Sequence, residues 1–273
     1  MALIEKKTVR SSFDRAAATY DEWADLQRHL ISDLMKILPE RRFDSVLEIG
    51  CGTGLLTSFL EQEPGFRNVI ATDISFNMLK KAGLKTDGKS VSFIAADAAL
   101  LPGVLRGKFD LVISNSALHW LMDEFAGAMP LLFELMLPQG VFAASVFTKE
   151  SLWELKTVLK RFTGDETTLP VDMFPSVEDV RNVLSGSLAQ YHYKHLSISK
   201  TYPDLLSLMR VLHRTGVTPL AGQRPLIFGS SGVKRIEAMF NEMCGRVRVS
   251  YDVVLFAGTG VKESRNPSAR GMP

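Results

Sequence analysis

Ser45-Val-Leu-Glu-Ile-Gly-Cys-Gly-Thr-Gly-Leu55 decides the fold of this chain. The apolar run Val46–Ile49 has the length and character of a strand buried on both faces. Glycines at 50, 52 and 54 then mark a turn where backbone passes close to a ligand, and Leu55-Leu-Thr-Ser-Phe-Leu60 has helical spacing. Strand, glycine turn and helix together present unpaired backbone N–H groups at a helix N-terminus, which predicts a nucleotide-type site at the edge of an α/β sheet. A dinucleotide fingerprint G-x-G-x-x-G beginning at Gly50 requires glycine at position 55, which is Leu55. An NAD site is thereby disfavoured.

The pattern present, Glu48-x-Gly50-x-Gly52-x-Gly54, resembles the S-adenosylmethionine (SAM) site of the Rossmann-like methyltransferases. SAM has no pyrophosphate to wrap, so the loop has to accommodate an amino-acid end and an adenosine. Glu48, two residues before the first glycine, is placed to orient the loop and to face a cationic amino-acid end.

Working outward, Trp23, Leu26, Leu30, Ile31, Leu34, Ile37 and Leu38 recur at helical spacing until Pro39, and Ser12–Asp21 before them predicts a shorter helix. Further strands are expected at Asn68–Asp73, Val91–Ala95, Phe109–Asn115 and Val141–Phe147, the last after a turn at Leu137-Pro-Gln-Gly140. Helices are expected at Ser75–Gly83 and from about Asp123. Later come helices at Ser151–Phe162, Ser176–Leu184, Leu205–His213 and Ser230–Met243, the last N-capped by Ser230 or Ser231, and strands at Tyr191–Ser199 and at Val247–Ala257, which alternates like a final strand. This βαβα alternation predicts an α/β fold: an open, mostly parallel sheet with helices on both faces. Ligands bind such sheets beyond the carboxyl ends of the strands, and Gly50, Asp73, Asp97 and Asn115 all fall there.

Composition narrows the function classes. The 273 residues are 46% hydrophobic, enough for one large domain, and the formal net charge of +2 argues against a nucleic-acid binder. The two cysteines, Cys51 and Cys244, form no ligand cluster and suggest a reducing compartment. No signal peptide or membrane-length apolar run is seen, so a soluble cytoplasmic protein without a membrane partner is expected. His192 and His195 lack acidic or thiol partners in the sequence around them, and no metal is expected. Neither a Ser-His-Asp order nor a carboxylate pair supports hydrolysis.

Asp73, 23 residues after Gly50, can accept both hydroxyls of a ribose. Asp97 can accept from an adenine amino group while the Ala98 N–H meets the ring. His119 and Trp120, on the segment after strand four, are candidates for the substrate mouth.

Phe13-Asp-Arg-Ala-Ala-Ala-Thr-Tyr20, Ala24-Asp-Leu-Gln-Arg28, Asn115-Ser-Ala-Leu-His-Trp120, Leu212-His-Arg-Thr-Gly-Val217 and Tyr251-Asp-Val-Val-Leu-Phe256 resemble segments of the biotin-synthesis malonyl-acyl-carrier-protein O-methyltransferases, over about residues 8–260. Arg214-Thr-Gly216 departs from the Lys-Gly-type sequence expected there. The resemblance implies a seven-stranded Rossmann-like sheet with an antiparallel last strand. It also implies a helical lid over 1–40, a SAM-dependent domain over 41–260 with a helical insertion at about 200–246, and a fraying tail over 261–273. The implied reaction is methyl transfer from SAM to the free carboxylate of malonyl-acyl-carrier protein or malonyl-CoA. A methyl transferase for another small acid or a quinone-pathway intermediate is the alternative. Cofactor contacts are expected from Gln27, Glu48, Gly50, Cys51, Gly52, Thr53, Gly54, Asp73, Ile74, Met78, Asp97, Ala98 and Asn115. Tyr20 and His119 are the expected catalytic residues, and Trp120, Lys200, Arg210 and Arg214 the expected substrate or carrier contacts. A carboxylate is already ionised at pH 7, so the implied chemistry requires positioning rather than a general base.

Overall fold

A computed structural model describes residues 5–164, 168–217 and 229–262. In chain order the elements are α1 (Lys6–Ala16), α2 (Tyr20–Trp23), α3 (Asp25–Lys36), β1 (Val46–Ile49), α4 (Leu55–Gln62), β2 (Val69–Asp73), α5 (Phe76–Gly83), β3 (Val91–Ala95), α6 (Leu101–Val104), β4 (Phe109–Asn115), α7 (Phe125–Phe133), β5 (Met136–Phe147), α8 (Trp153–Thr163), α9 (Val177–Ser187), β6 (Leu188–Thr201), α10 (Leu205–Arg214), α11 (Ser230–Cys244) and β7 (Arg248–Val261). The strands form one sheet in the order β3-β2-β1-β4-β5-β7-β6. β1 to β5 pair in parallel, and β7 runs antiparallel to both β5 and β6. The expected Rossmann-like sheet with an antiparallel last strand is therefore what the chain forms.

Alternate residues along each strand enter two cores. Val46, Val69, Ala71, Leu111, Ile113 and Leu255 face α3, α4, α5, α8, α10 and α11, whereas Leu47, Ile49, Val112, Phe142 and Phe256 face α7 and α9. The period-2 geometry of strands makes this division automatic. Reversal of strand order between β1 and β4 opens the crevice at their carboxyl ends, where the glycine turn lies.

Four local expectations change. The N-terminal helix begins at Lys6 and breaks after Ala16, so that Phe13, Ala16, Ala17 and Tyr20 form one cluster with Met78. The predicted turn at Leu137–Gly140 is an excursion within β5: Phe109 pairs with Met136 and Leu111 already with Val141. Gly140 permits it, because a Cβ there would lie 2.8 Å from the Phe109 carbonyl oxygen. Helix α11 is preceded by Gly229 rather than capped by a serine side chain. β7 does not alternate in burial, since it is an inner strand covered on both sides over Val253–Ala257. The expected tail lies, beyond residue 262, outside the described residues, as do residues 218–228 of the expected insertion.

Candidate active site

The glycine turn follows directly from β1. Gly50 and Cys51 both donate their N–H to the Thr72 carbonyl, at 2.8 and 2.9 Å, which folds the chain back over β2. Gly50 has φ +71°, and a Cβ there would stand 2.2 Å from the Ala117 Cβ. Gly54 seats α5, with Ala82 Cα 2.9 Å from where its own Cβ would be, and is not in the cavity wall. The structure thus places Gly54 against α5, outside the wall where a cofactor contact is expected. Gly52 faces open space, so that backbone here is bare toward a ligand.

An inner cavity opens over this turn. Its wall holds Gln27, Glu48, Gly50, Cys51, Gly52, Thr53, Asp73, Ile74, Met78, Asp97, Ala98 and Asn115, all brought together as expected, with Lys6, Val9, Phe13 and Tyr20 of the N-terminal helices across it. Trp120 also lies here, edge-on to Phe13 at 5.3 Å, and not in the second cavity where a substrate-mouth role places it.

Two buried carboxyl groups set the electrostatics. Glu48 accepts a hydrogen bond from the Thr57 hydroxyl at 2.7 Å. Burial pushes its carboxyl up to about 8, against the Thr57 bond and with help from the Asp73 charge. Asp73 accepts from the N–H groups of Gly52 (2.9 Å) and Ser75 (2.7 Å), yet burial still raises it to about 6. Burial also raises the Cys51 thiol, with Glu48 and Asp73 adding to it, which keeps Cys51 a packing residue rather than a nucleophile.

Asp97 is more constrained than its sequence position suggests. One carboxylate oxygen accepts from Ala99 N–H at 3.0 Å, and the other pairs with Lys6 at 2.8 Å. Lys6 also reaches Glu124. Burial works against the Lys6 charge, but its two carboxylates outweigh this and hold its pKa up. The N-terminal helices are tied down at further points: Asp14 accepts from the Ser75 hydroxyl, and Asp21 accepts from Thr53 and pairs with Lys85. Lys6, Asp14, Asp21 and Thr57 escaped sequence reading, because nothing local marks a partner tens of residues away.

An outer cavity of about 390 Å³ adjoins the first. It is lined mainly by Trp23, Leu26, Phe147, Phe174, Leu212, Tyr202 and Tyr251, with His119 and Lys200 in its wall. The two cavities share Phe13, Tyr20, Gln27 and Ser116. Burial pushes His119 down to about 3, so the imidazole is neutral, and its Nδ1 accepts from Phe147 N–H at 3.4 Å. Burial and then the Asp73 and Asp21 charges raise the Tyr20 phenol well above its usual range, fixing it as a donor. Arg210 and Arg214 line neither cavity; both are exposed, and Arg214 donates to the Thr19 hydroxyl at 3.2 Å. Their i,i+4 spacing shows a shared helix face but not what lies opposite. Gly216, just beyond, takes the Phe13 ring against its α-carbon: a Cβ there would be 2.7 Å from it.

Among the described residues no group of three or more His, Cys, Asp or Glu side chains is placed to hold a metal. The inner cavity instead suits a ligand with a cationic end for Glu48, hydroxyls for Asp73 and a flat group toward Asp97 and Ala98, which are the parts of SAM. Bringing an ammonium beside Glu48, mostly protonated at pH 7 in the free protein, favours its ionised form. SAM binding is therefore expected to release close to one proton per site at pH 7, a value that Glu48→Gln removes. Calorimetry in buffers of different ionisation enthalpy measures this, and proton uptake would contradict the arrangement.

Comparison with known proteins agrees with this geometry. A family model described as "Methyltransferase domain" matches residues 47–144. The chain is 30% identical over 254 residues to the malonyl-[acyl-carrier protein] O-methyltransferase of Enterobacter lignolyticus, covering 93% of this chain and 97% of that one. It is 29% identical, with the same coverage, to the protein of that name from Pseudescherichia vulneris. Among solved structures, the N-methyltransferase NodS of Bradyrhizobium japonicum, in complex with S-adenosyl-L-homocysteine, shares the fold at a TM-score of 0.58 and 15% identity, over 93% of this chain and 98% of its own. The chain belongs to the malonyl-[acyl-carrier protein] O-methyltransferase family and is a SAM-dependent O-methyltransferase.

Proposed function

We propose that this enzyme methylates the free carboxylate of malonyl-acyl-carrier protein in the cytoplasm, giving the malonyl methyl ester that primes pimeloyl and biotin synthesis. The observation that carries this reading is the junction of the two cavities. The side chains lining both are Phe13, Tyr20, Gln27 and Ser116, and none of these is a general base at pH 7. An acceptor that needs deprotonation is poorly served there, whereas a carboxylate arrives as its own nucleophile.

SAM, when bound, supplies an electrophilic methyl group whose bond to sulfur breaks as the bond to the acceptor oxygen forms, with no proton to move. The chain's part is to hold, align and dry. Glu48, Asp73 and the turn at Gly50–Gly52 fix one end, and Phe13, Tyr20 and Trp120 close over it and keep water out. Phe147, Phe174, Tyr202 and Tyr251 give the acceptor an apolar channel. Lys200 is the single lysine or arginine lining the outer cavity among the described residues, and attracts the acceptor's anionic parts. The names of the full-length relatives support the malonyl and carrier-protein assignment.

The test is incubation of the pure protein with methyl-labelled SAM and malonyl-acyl-carrier protein, with the acetyl form and malonyl-CoA alongside. Base-labile label on the malonyl carrier alone is the expected result. Equal labelling of malonyl-CoA moves the acceptor to the coenzyme A thioester. Absence of label on any malonyl thioester, with SAM binding demonstrated, sinks the assignment.

A further inference from the structure

Ser116 has three features that no structural duty of a loop serine explains together. Its backbone sits at φ +58°, a left-handed conformation costly for any residue with a Cβ and free of cost for glycine. Its N–H is shared between the Ser145 carbonyl (3.1 Å) and the Ser145 hydroxyl (2.8 Å), which holds that conformation in place. Its own hydroxyl makes one long contact, 3.4 Å to the Ser145 hydroxyl, in which Ser116 is the donor because the Ser145 proton goes to Asn115 Oδ1 at 2.7 Å. A chain of bonds from the Gln27 carbonyl through Asn115 and Ser145 thus fixes the Ser116 backbone, while its O–H is held only by that long contact, which a better acceptor can replace.

Its location gives that O–H a use. Ser116 is one of the four residues lining both cavities, and with Tyr20 it supplies the hydroxyls there. The four residues that line both cavities carry no cation, so an acceptor carboxylate at the junction is met there by neutral donors. Two neutral O–H groups on one carboxylate oxygen orient the acid and leave the other oxygen uncovered, drawing less charge from it than a contacting lysine or arginine would.

We propose that Ser116 is a substrate-binding residue whose hydroxyl, opposite that of Tyr20, holds one oxygen of the acceptor carboxylate where the two cavities join. This rests on the reading that the acceptor is a carboxylate. The experiment compares Ser116→Gly, Ser116→Ala and Ser116→Asn with wild type on malonyl-acyl-carrier protein. Glycine removes the hydroxyl and relieves the backbone, alanine removes only the hydroxyl, and asparagine tolerates the left-handed region while restoring a donor. Glycine and alanine are both expected to raise KM for the malonyl substrate about tenfold to a hundredfold with a smaller change in kcat. Asparagine should recover part of the loss. The inhibition constant of acetyl-acyl-carrier protein, which lacks the carboxylate, should match wild type in the glycine and alanine variants, and the Kd for S-adenosylhomocysteine, whose cavity Ser116 also lines, should shift by less than the malonyl KM. The glycine variant should melt no lower than wild type, which separates binding from folding. Wild-type KM in the glycine variant, or equal weakening of the acetyl inhibitor, overturns the role of Ser116 while leaving the parent function standing. A wild-type enzyme that makes no malonyl ester overturns both.

Discussion

Gly50→Ala is expected to abolish SAM binding by a protein that still contains its sheet. The alanine methyl would stand 2.2 Å from the Ala117 Cβ, well inside contact distance, with the backbone held at φ +71°. The left-handed conformation costs about 1–2 kcal/mol for a residue with a side chain, and relieving the overlap about 1–3 kcal/mol more. Together that is a factor of roughly 30 to several thousand in the population of the native turn. The turn cannot relax outward, because the Gly50 and Cys51 N–H groups are both tied to Thr72. Ala117 yields instead, and with it Ser116 and Trp120, so both cavities lose their shape. Gly52→Ala is the control for strain alone: its φ is +55° but nothing stands within 4 Å. Calorimetric titration with S-adenosylhomocysteine and a thermal melt decide the matter. Binding by Gly50→Ala within threefold of wild type would be incompatible with this turn geometry.

Asp73→Asn is expected to weaken SAM binding about a hundredfold or more. Hydrogen bonds to a charged group contribute about 1.5–3 kcal/mol each, and a carboxylate at this strand end can accept from two ribose hydroxyls. The pH dependence follows from its raised pKa. In the free protein Asp73 holds its proton up to about pH 6, above an ordinary carboxyl, because burial penalises the charge. Its contribution to the stability of the free protein is therefore most favourable below the unfolded value and declines as the pH rises through 6. Ligand affinity runs the other way, because the ribose hydroxyls need an ionised acceptor. Wild-type affinity should fall as pH drops below about 6, with that inflection missing in Asp73→Asn. An identical profile in both proteins would remove Asp73 from the ribose site.

The sequence shows the core of the inner cavity because it is assembled from strand ends. An apolar run followed by glycine or an acid locates Gly50, Asp73, Asp97 and Asn115, and parallel topology then forces them to one edge. What periodicity does not encode is the far partner. Asp97 reads as a free turn acid until Lys6 is seen beside it, and Thr57 looks like any helix residue until Glu48 is found against it. Arg210 and Arg214 have a legible spacing but no legible neighbour, and they line neither cavity. Ser116 was hidden for a different reason: its importance lies in a backbone angle set by Ser145, not in its own type.

The contact of Phe13 with Gly216 joins the first helix to the far side of the polypeptide. Every residue of the inner cavity wall lies between Lys6 and Leu121, whereas the outer cavity draws on residues from Phe13 through Tyr251. During synthesis from the N-terminus, all of the inner cavity's wall has been polymerised when less than half the chain has been made, while the outer cavity waits for the last strand, β7. The nascent protein thus acquires the residues of the inner cavity well before those that complete the outer one.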